Sequence, residues 1–241
     1  MKKKVLTVAL VVALIAIMVS GTLAYFTDND EVTNTFTIGS VKIEIYENDS
    51  ATTSDTISFG KLTPVVKENP SEDISYINKV VDVKNTGAND AYIRTHIAVP
   101  TALIGFLQLD VTTDGWAYNG TLAGSSTATV NGVAYTVFTY DHTAAVAPNG
   151  FTSELLQGVY LMSDVDLAEN ADGDLVFVKK ANGEITHNSG FVAHIKNADG
   201  TYTSANVNIL VASEAIQTQG FENGATNALN SGFGANTNPW Q

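Results

Sequence analysis

The sequence predicts an all-β fold, a two-sheet β-sandwich, on three observations. Threonine, valine, isoleucine, tyrosine and phenylalanine are plentiful, and these side chains suit a pleated, half-buried surface. Apolar and polar residues alternate with period two, as in residues 41–47, where Val41, Ile43 and Ile45 are opposed by Lys42, Glu44 and Tyr46. Turn pairs recur at short intervals, among them Asn131-Gly132, Asn182-Gly183 and Asp199-Gly200.

Residues 1–24 precede this fold and have another character. Lys2, Lys3 and Lys4 form a basic start, residues 5–19 are apolar except for Thr7, and the small residues Ser20, Gly21 and Thr22 lead to Ala24. This is the pattern of a secretory signal peptide, and it is short for a membrane span. Thr22 and Ala24 occupy the small-residue positions ahead of a cut before Tyr25; an uncleaved N-terminal anchor is the alternative. The expected organisation is a signal peptide at 1–24, a terminal strand and hinge at 25–40, and one β-sandwich domain at 41–241.

Losing 24 of the 241 residues leaves 217, enough for one substantial core. Three lysines leave with the signal, so the formal charge moves from −13 to −16. That balance argues against nucleic acid and anionic lipid as partners, and no membrane association is expected after cleavage. Cysteine is absent, so an exported chain of this length has no disulfide to support it. The end of the chain, SGFGANTNPWQ, lacks a hydrophobic tail or basic sorting signal, so covalent anchoring there is not expected. A secreted protein, in the extracellular matrix or at the cell surface, is the expected location.

Taken in order, the first mature strand lies in residues 31–38, where Val32, Phe36 and Ile38 alternate with Glu31, Thr33, Thr35 and Thr37. Gly39 and Ser40 break the phase. A one-residue change of phase turns every side chain over, so these two residues read as a hinge to the strand at 41–47. A polar loop follows, then a short segment at 57–62 ending near Pro64. Residues 77–84 and 91–99 read as a hairpin about the turn 85–90. On its second strand Ile93, Thr95, Ile97 and Val99 face one way, and Tyr92, Arg94 and His96 the other.

Residues 100–109 are apolar without clean alternation, which suits a short helix or a buried connection. Residues 110–124 carry Trp116 and Tyr118 on a short strand between loops. Residues 127–140 form a hairpin about Asn131-Gly132, and residues 153–167 a strand bent at Gly158. A third hairpin turns at Asn182-Gly183. A fourth joins 191–195 to 202–212 about Asp199-Gly200, ending in Val207, Ile209 and Val211 opposed by Asn206, Asn208 and Leu210. Turn signals crowd residues 164–200, as in an insertion at the sandwich edge, and residues 223–231 suit one or two helical turns.

Several pieces, in this order, carry a resemblance: GTLAYFTD at 21–28, TFTIGSVKIEIYE at 35–47, VVDVKNTGANDAYIRTHIAVP at 80–100, LLQGVYLMSDVDL at 155–167 and VNILVASEAIQTQGF at 207–221. Together they resemble the exported TasA/camelysin family of Gram-positive bacteria, whose signals are cut by a SipW-type signal peptidase. The resemblance is best over the signal and first strands, and residues 100–150 and 166–200 lie outside it. It implies a jelly-roll-like two-sheet β-sandwich with short helical or loop insertions, polymerised into biofilm-matrix fibres by donor-strand exchange. The donor would be residues 25–38, with Phe26, Val32, Phe36 and Ile38 as plugs and Gly39-Ser40 as the hinge. The implied partners are further copies of the chain, accessory matrix proteins and, during export, the signal peptidase.

Physical reasons stand beside the resemblance. A sheet lacking a strand exposes unpaired backbone groups and an apolar groove, and an extended peptide satisfies both. Donor and acceptor lie on different parts of one molecule, so the contact is head-to-tail and propagates. The alternative is that the terminal strand pairs within its own sandwich or frays. Exported monomers that begin self-paired and open later would combine the two.

Catalytic patterns are sparse. Camelysin-type relatives are described as metalloproteases, yet His96, His142, His187 and His194 include no H-E-x-x-H pair. His187 and His194 flank a glycine turn, and ordinary imidazoles are the favoured reading. There is no G-x-S-x-G elbow and no thiol. Residues 170–174 have the look of a calcium loop, but Ala168 and Lys179 stand where carboxylates belong, favouring a solvated acidic turn. Asp28, Asp30 and Glu31 would either recruit a cation or hold a free strand in water. Arg94 reads as structural, its fork taken by a carboxylate or a backbone carbonyl. Trp116, Tyr118 and Trp240 form a sugar platform or, preferably, packing. No catalytic residue, metal or cofactor is assigned. The expected function is a secreted fibre subunit, with a monomeric surface adhesin second and an exported metalloprotease third.

Overall fold

A computed structural model of the chain describes residues 27–29, 41–51, 56–59, 64–119, 127–221, 223–235 and 238–240, with the backbone alone at 27–29, 56–59 and 127. The strands are β1 (Thr27–Asn29), β2 (Ile43–Glu47), β3 (Ser50–Ala51), β4 (Thr56–Phe59), β5 (Ile77–Asn85), β6 (Ala91–Pro100), β7 (Leu107–Val111) and β8 (Trp116–Tyr118). They continue with β9 (Thr127–Val130), β10 (Val133–His142), β11 (Leu156–Leu161), β12 (Val165–Glu169), β13 (Leu175–Ala181), β14 (Glu184–Lys196), β15 (Tyr202–Ser204) and β16 (Val207–Gln217). One helix, α1 (Ala225–Phe233), follows.

These strands make an antiparallel sandwich with an added sheet. Sheet A has the order β1-β16-β6-β10-β8, with β4 also on β16 and β9 also on β10; sheet B has the order β3-β2-β5-β11-β7. Their inner faces meet in one core. Ile43, Ile45, Val81, Val83, Leu156 and Val159 come from sheet B, and Ile93, Ile97, Val99, Ile209, Val211 and Ala215 from sheet A. Strands β12 to β15 make a third, four-stranded sheet. Its Phe177 and Ala193 join the same core, and the Phe177 and Phe191 rings stack at 6.2 Å.

Alternation locates the strands, and two Asn-Gly pairs turn as expected. Asn131-Gly132 joins β9 to β10 and Asn182-Gly183 joins β13 to β14, all four residues having positive φ. That is the backbone twist a two-residue hairpin needs. Asp199-Gly200 joins β14 to β15, but 202–212 is not one strand: β15 stops at Ser204 and β16 enters sheet A. Residues 153–167 also divide, into β11 of sheet B and β12 of the third sheet. Residues 101–103 form a single 3-10 turn before β7.

The hairpin expected from residues 77–84 and 91–99 is corrected. β5 pairs with β2 and β11 in sheet B, whereas β6 pairs with β10 and β16 in sheet A. Residues 85–90 are therefore an arch between the sheets. Asn85 holds it: its Nδ2 donates to the carbonyls of Asn89 and Val146, both at 2.8 Å, and its Oδ1 accepts from Gly87 N–H at 2.9 Å. An alternating strand shows only that one face is buried against a second layer, so the pattern is the same whether its chain neighbour lies in its own sheet or in the facing one.

The outer face of sheet B is open to solvent in part. Tyr76 lies across Gly158, where an added Cβ would come within 2.1 Å of its ring. The Tyr76 hydroxyl donates to Asp110 Oδ2 at 2.7 Å, and its ring sits 6.0 Å from that of Tyr160. Burial, then Asp110, pushes the Tyr76 hydroxyl pKa well up. On the same sheet Asp82 is raised to about 6, first by burial and then by Glu154 and Asp49. A buried carboxylate organises the loop before β5: Asp73 Oδ2 accepts from the N–H groups of Val66 and Lys67, and Oδ1 from that of Ser75, each at 2.8 Å. No helix among the described residues is long and apolar enough to cross a membrane.

Gly158→Ala forces the Tyr76 ring off its seat and is expected to destabilise the domain by about 1–3 kcal/mol, read in urea unfolding. Asp82 binds its proton more tightly folded than unfolded, so stability falls as pH rises from about 4 through about 6. Asp82→Asn is expected to remove that fall and to raise the melting temperature at pH 7.

Candidate strand-acceptor edge

β16 is a long strand buried on both faces. Its odd residues Val207, Ile209, Val211 and Ala215 face the sandwich core, and its even residues Leu210 and Ile216 belong to two clusters on the outer face of sheet A. One of its edges is paired continuously with β6, from Leu210 opposite Ala98 to Gln217 opposite Ala91. Among the described residues, the other edge is covered in two pieces. β4 pairs with Val207 to Leu210, and β1 with Glu214 to Ile216, both antiparallel. Among the described residues, no strand pairs with Val211, Ala212 or Ser213 on that side. An edge strand this buried presents backbone groups that only another strand satisfies well.

The outer face is covered because α1 lies across it. Ala225, Ala228 and Leu229 pack on Ile216 and Tyr92, and Trp240 packs near Ala98, Val137 and Leu210. Beneath this cover lies Arg94, the only arginine of the chain and fully buried. Its Nε donates to Asp141 Oδ1 at 2.6 Å and its Nη2 to Asp141 Oδ2 at 3.2 Å. Nη2 also donates to Asn230 Oδ1 at 2.6 Å, and Nη1 to the Gly234 carbonyl at 2.9 Å. Asn119 Nδ2 donates to Asp141 Oδ2 at 3.5 Å. A guanidinium out of water needs its donors filled, and here both a carboxylate and a carbonyl fill them, as expected of Arg94.

The register places this group in a row that reaches the candidate edge. Asn29, Glu214, Arg94, Asp141 and Ala117 are successive partners across β1, β16, β6, β10 and β8. Glu214 is 2% exposed, and its Oε1 lies 3.6 Å from His96 Nε2. His96 Nδ1 shares a hydrogen bond of 2.8 Å with Thr139 Oγ1. On the core face, between the places that β1 and β4 take, Ser213 and Thr95 bond hydroxyl to hydroxyl at 2.9 Å.

Most residues singled out in the sequence for assembly lie outside the described residues: Thr22, Ala24, Tyr25, Phe26, Val32, Phe36, Ile38, Gly39 and Ser40. The described part of that segment, Thr27–Asn29, pairs with β16 of its own chain. The histidines do not converge. His142 is buried on Trp116, burial holding its pKa below the usual imidazole value, and its Nδ1 donates to the Ala144 carbonyl at 2.8 Å. His187 and His194 share strand β14 and do not face each other across a turn; His187 lies opposite Lys179, and His194 opposite Leu175. Trp116 and Trp240 lie on opposite faces of sheet A, Trp116 in the sandwich core with its Nε1 donating to the Ser153 carbonyl, so the three aromatic residues form no common platform. Among the described residues, no group of three or more His, Cys, Asp or Glu is arranged to hold a metal ion.

Sequence reasoning missed Asp141, Glu214 and Asn230. Acidic residues inside the apolar-alternating segments around Asp141 and Glu214 were the available signal, since the chain offers one arginine for them to meet. The fold and edge define an all-β sandwich protein with a strand-bearing edge. No family model matches the chain, and no curated protein or solved structure matches it.

Asp141→Ala leaves the buried guanidinium without its carboxylate and is expected to cost about 3–5 kcal/mol in urea unfolding. Arg94→Met combined with Asp141→Leu is expected to cost less than the two single changes added, because neither leaves the other's charge unpaired.

Proposed function

We propose that the chain is a secreted structural subunit that polymerises head-to-tail, by donor-strand exchange, into extracellular fibres of a biofilm matrix or cell surface. The observation that carries this reading is the outer edge of β16: a strand buried on both faces, on which the described residues lay two short segments, β1 and β4. A strand from a second copy, laid along this edge, extends sheet A by backbone hydrogen bonds and places alternate side chains over the core. Because the donor segment and β16 belong to different parts of one molecule, each subunit both gives and receives.

Other features support the same reading. The resemblance to the TasA/camelysin family is best over the signal and the first mature strands, which include the donor. The absence of cysteine leaves backbone ladders and apolar burial to hold a fibre together. The acidic balance keeps free subunits apart and makes assembly sensitive to ionic strength. In this reading the signal peptide blocks the strand's free end until export.

The test is a mature chain that begins at Ser40, compared with one that begins at Tyr25. The shorter chain is expected to keep its β circular-dichroism spectrum and to give no filaments by electron microscopy. Filaments of unchanged yield from the shorter chain would end the reading.

A further inference from the structure

We propose that the outer face of sheet B carries a glycan-binding platform, built on Tyr76 and Tyr160, that takes a neutral β-linked polysaccharide. It lies on the other sheet from the β16 edge and does not depend on strand exchange.

The register assembles the platform on three strands. Gly158 of β11 lies opposite Asn78 of β5 on one side and Asp110 of β7 on the other. Tyr160 lies opposite Gln108. Opposed residues share a face, and here it is the outer one, because Val159 and Leu161 belong to the core. Tyr76 stands two residues before Asn78 and turns to the same side.

Tyr76 is laid flat. A Cβ added to Gly158 would come within 2.1 Å of its Cζ, 2.1 Å of its Oη and 2.5 Å of its Cε1. A point in the ring plane as close to Cζ and Oη would be much nearer to Cε1 or much farther from it. The glycine therefore lies under the face of the phenol. Only a residue without Cβ lets the ring rest there, and the bond from its hydroxyl to Asp110 Oδ2 at 2.7 Å holds it in place. The ring's other face is turned away from the sheet. Tyr160 follows, with ring centroids 6.0 Å apart and planes 30° from parallel. Rings so related are offset, so each keeps part of a face for another partner.

Sugar chemistry fits what surrounds the rings. A pyranose with equatorial hydroxyls has a flat face of C–H groups, which the negative face of an aromatic ring attracts. Its rim of hydroxyls needs donors and acceptors together. The exposed amides of Asn78 and Gln108 offer both, and the Asp110 carboxylate accepts. A β-linked chain of such sugars is a flat ribbon, suited to a flat sheet face. Charge narrows the class further. Asp110 beside the rings, Asp82 farther along the same face of β5 and a formal charge of −13 repel uronic acids and phosphates.

A second aromatic pair on sheet B gives the contrast. Tyr46 and Phe151 meet edge to face at 5.0 Å, and the Lys84 ammonium sits over both rings, at 5.8 and 5.2 Å. Those faces are already occupied. Among the described residues, no cation lies over Tyr76 or Tyr160.

The test is calorimetric titration of the mature chain with cellohexaose and chitohexaose, both neutral and β-linked, and with polygalacturonate, which is anionic. Binding of at least one neutral hexamer, and none of the polyuronate, is expected. No binding of either neutral hexamer would overturn the proposal, as would polyuronate binding of equal or greater strength. Tyr160→Ala is expected to weaken the neutral hexamer about tenfold. Rings that serve only to cover Gly158 predict parent affinity for Tyr160→Ala, and that result would sink the platform. Gly158→Ala, titrated where circular dichroism shows it folded, displaces Tyr76 and is expected to lose binding by a similar factor; parent affinity there would also sink it. If Gly158→Ala does not fold, Tyr160→Ala decides. The fibre reading is judged by the Ser40 chain and not by these titrations, so the two fail separately.

Discussion

Arg94 ties the outer face of sheet A together. Its fork spans Asp141 on β10, and its remaining donors reach Asn230 and the Gly234 carbonyl at the end of α1. A guanidinium in the interior is tolerated only with such partners, because the loss of water has to be offset donor by donor. The constraint runs both ways. The helix must dock where its last turn can accept from Arg94, and once docked it shields β6, β10 and β16 from solvent. Sheet A is therefore buried on two faces, unlike a sheet whose second face stays wet.

That double burial gives β16 its importance. A strand covered above and below can meet another chain only along its edge, and among the described residues that edge carries two short pieces. Protection of sheet edges is a general need, and a terminal segment laid on an edge is one way to meet it. The same geometry turns into a means of assembly when the terminal segment of one molecule reaches the edge of the next. In this view α1 and Arg94 act at a distance from the contact: Arg94 anchors the end of α1, and α1 covers β16 at Ile216. The third sheet plays no part on that edge and joins the core from elsewhere, through Phe177 and Ala193.

Much of the fold was legible in the sequence. The alternation of Val41, Ile43 and Ile45 against Lys42, Glu44 and Tyr46 reappears as buried against less buried side chains, and the two Asn-Gly turns fall where they were expected. Both faces of β6 were also divided correctly, Ile93, Thr95, Ile97 and Val99 inward and Arg94 and His96 outward. The pairing of β5 with β6 was not recoverable, because an arch between sheets and a hairpin within one share the same local pattern. Nor was the division of residues 202–212, where a strand ends in one sheet and the next begins in another with two residues between them. At the candidate site, Arg94 announced its need for an acceptor, but which acceptors answered depends on β10 and α1 arriving over it from 47 and 136 residues away.

By itself, then, the sequence determined where strands and tight turns lie and which side of each strand turns inward, since those follow from period-two alternation and from the backbone angles that asparagine and glycine permit. Tertiary structure alone decided which strands became neighbours, what covers the outer face of sheet A, and that β1 and β4 lie along one edge of β16. The physical reason is that alternation reports only that a face is buried; what lies against that face, and what lies beside the strand, is set by contacts between residues far apart in the chain.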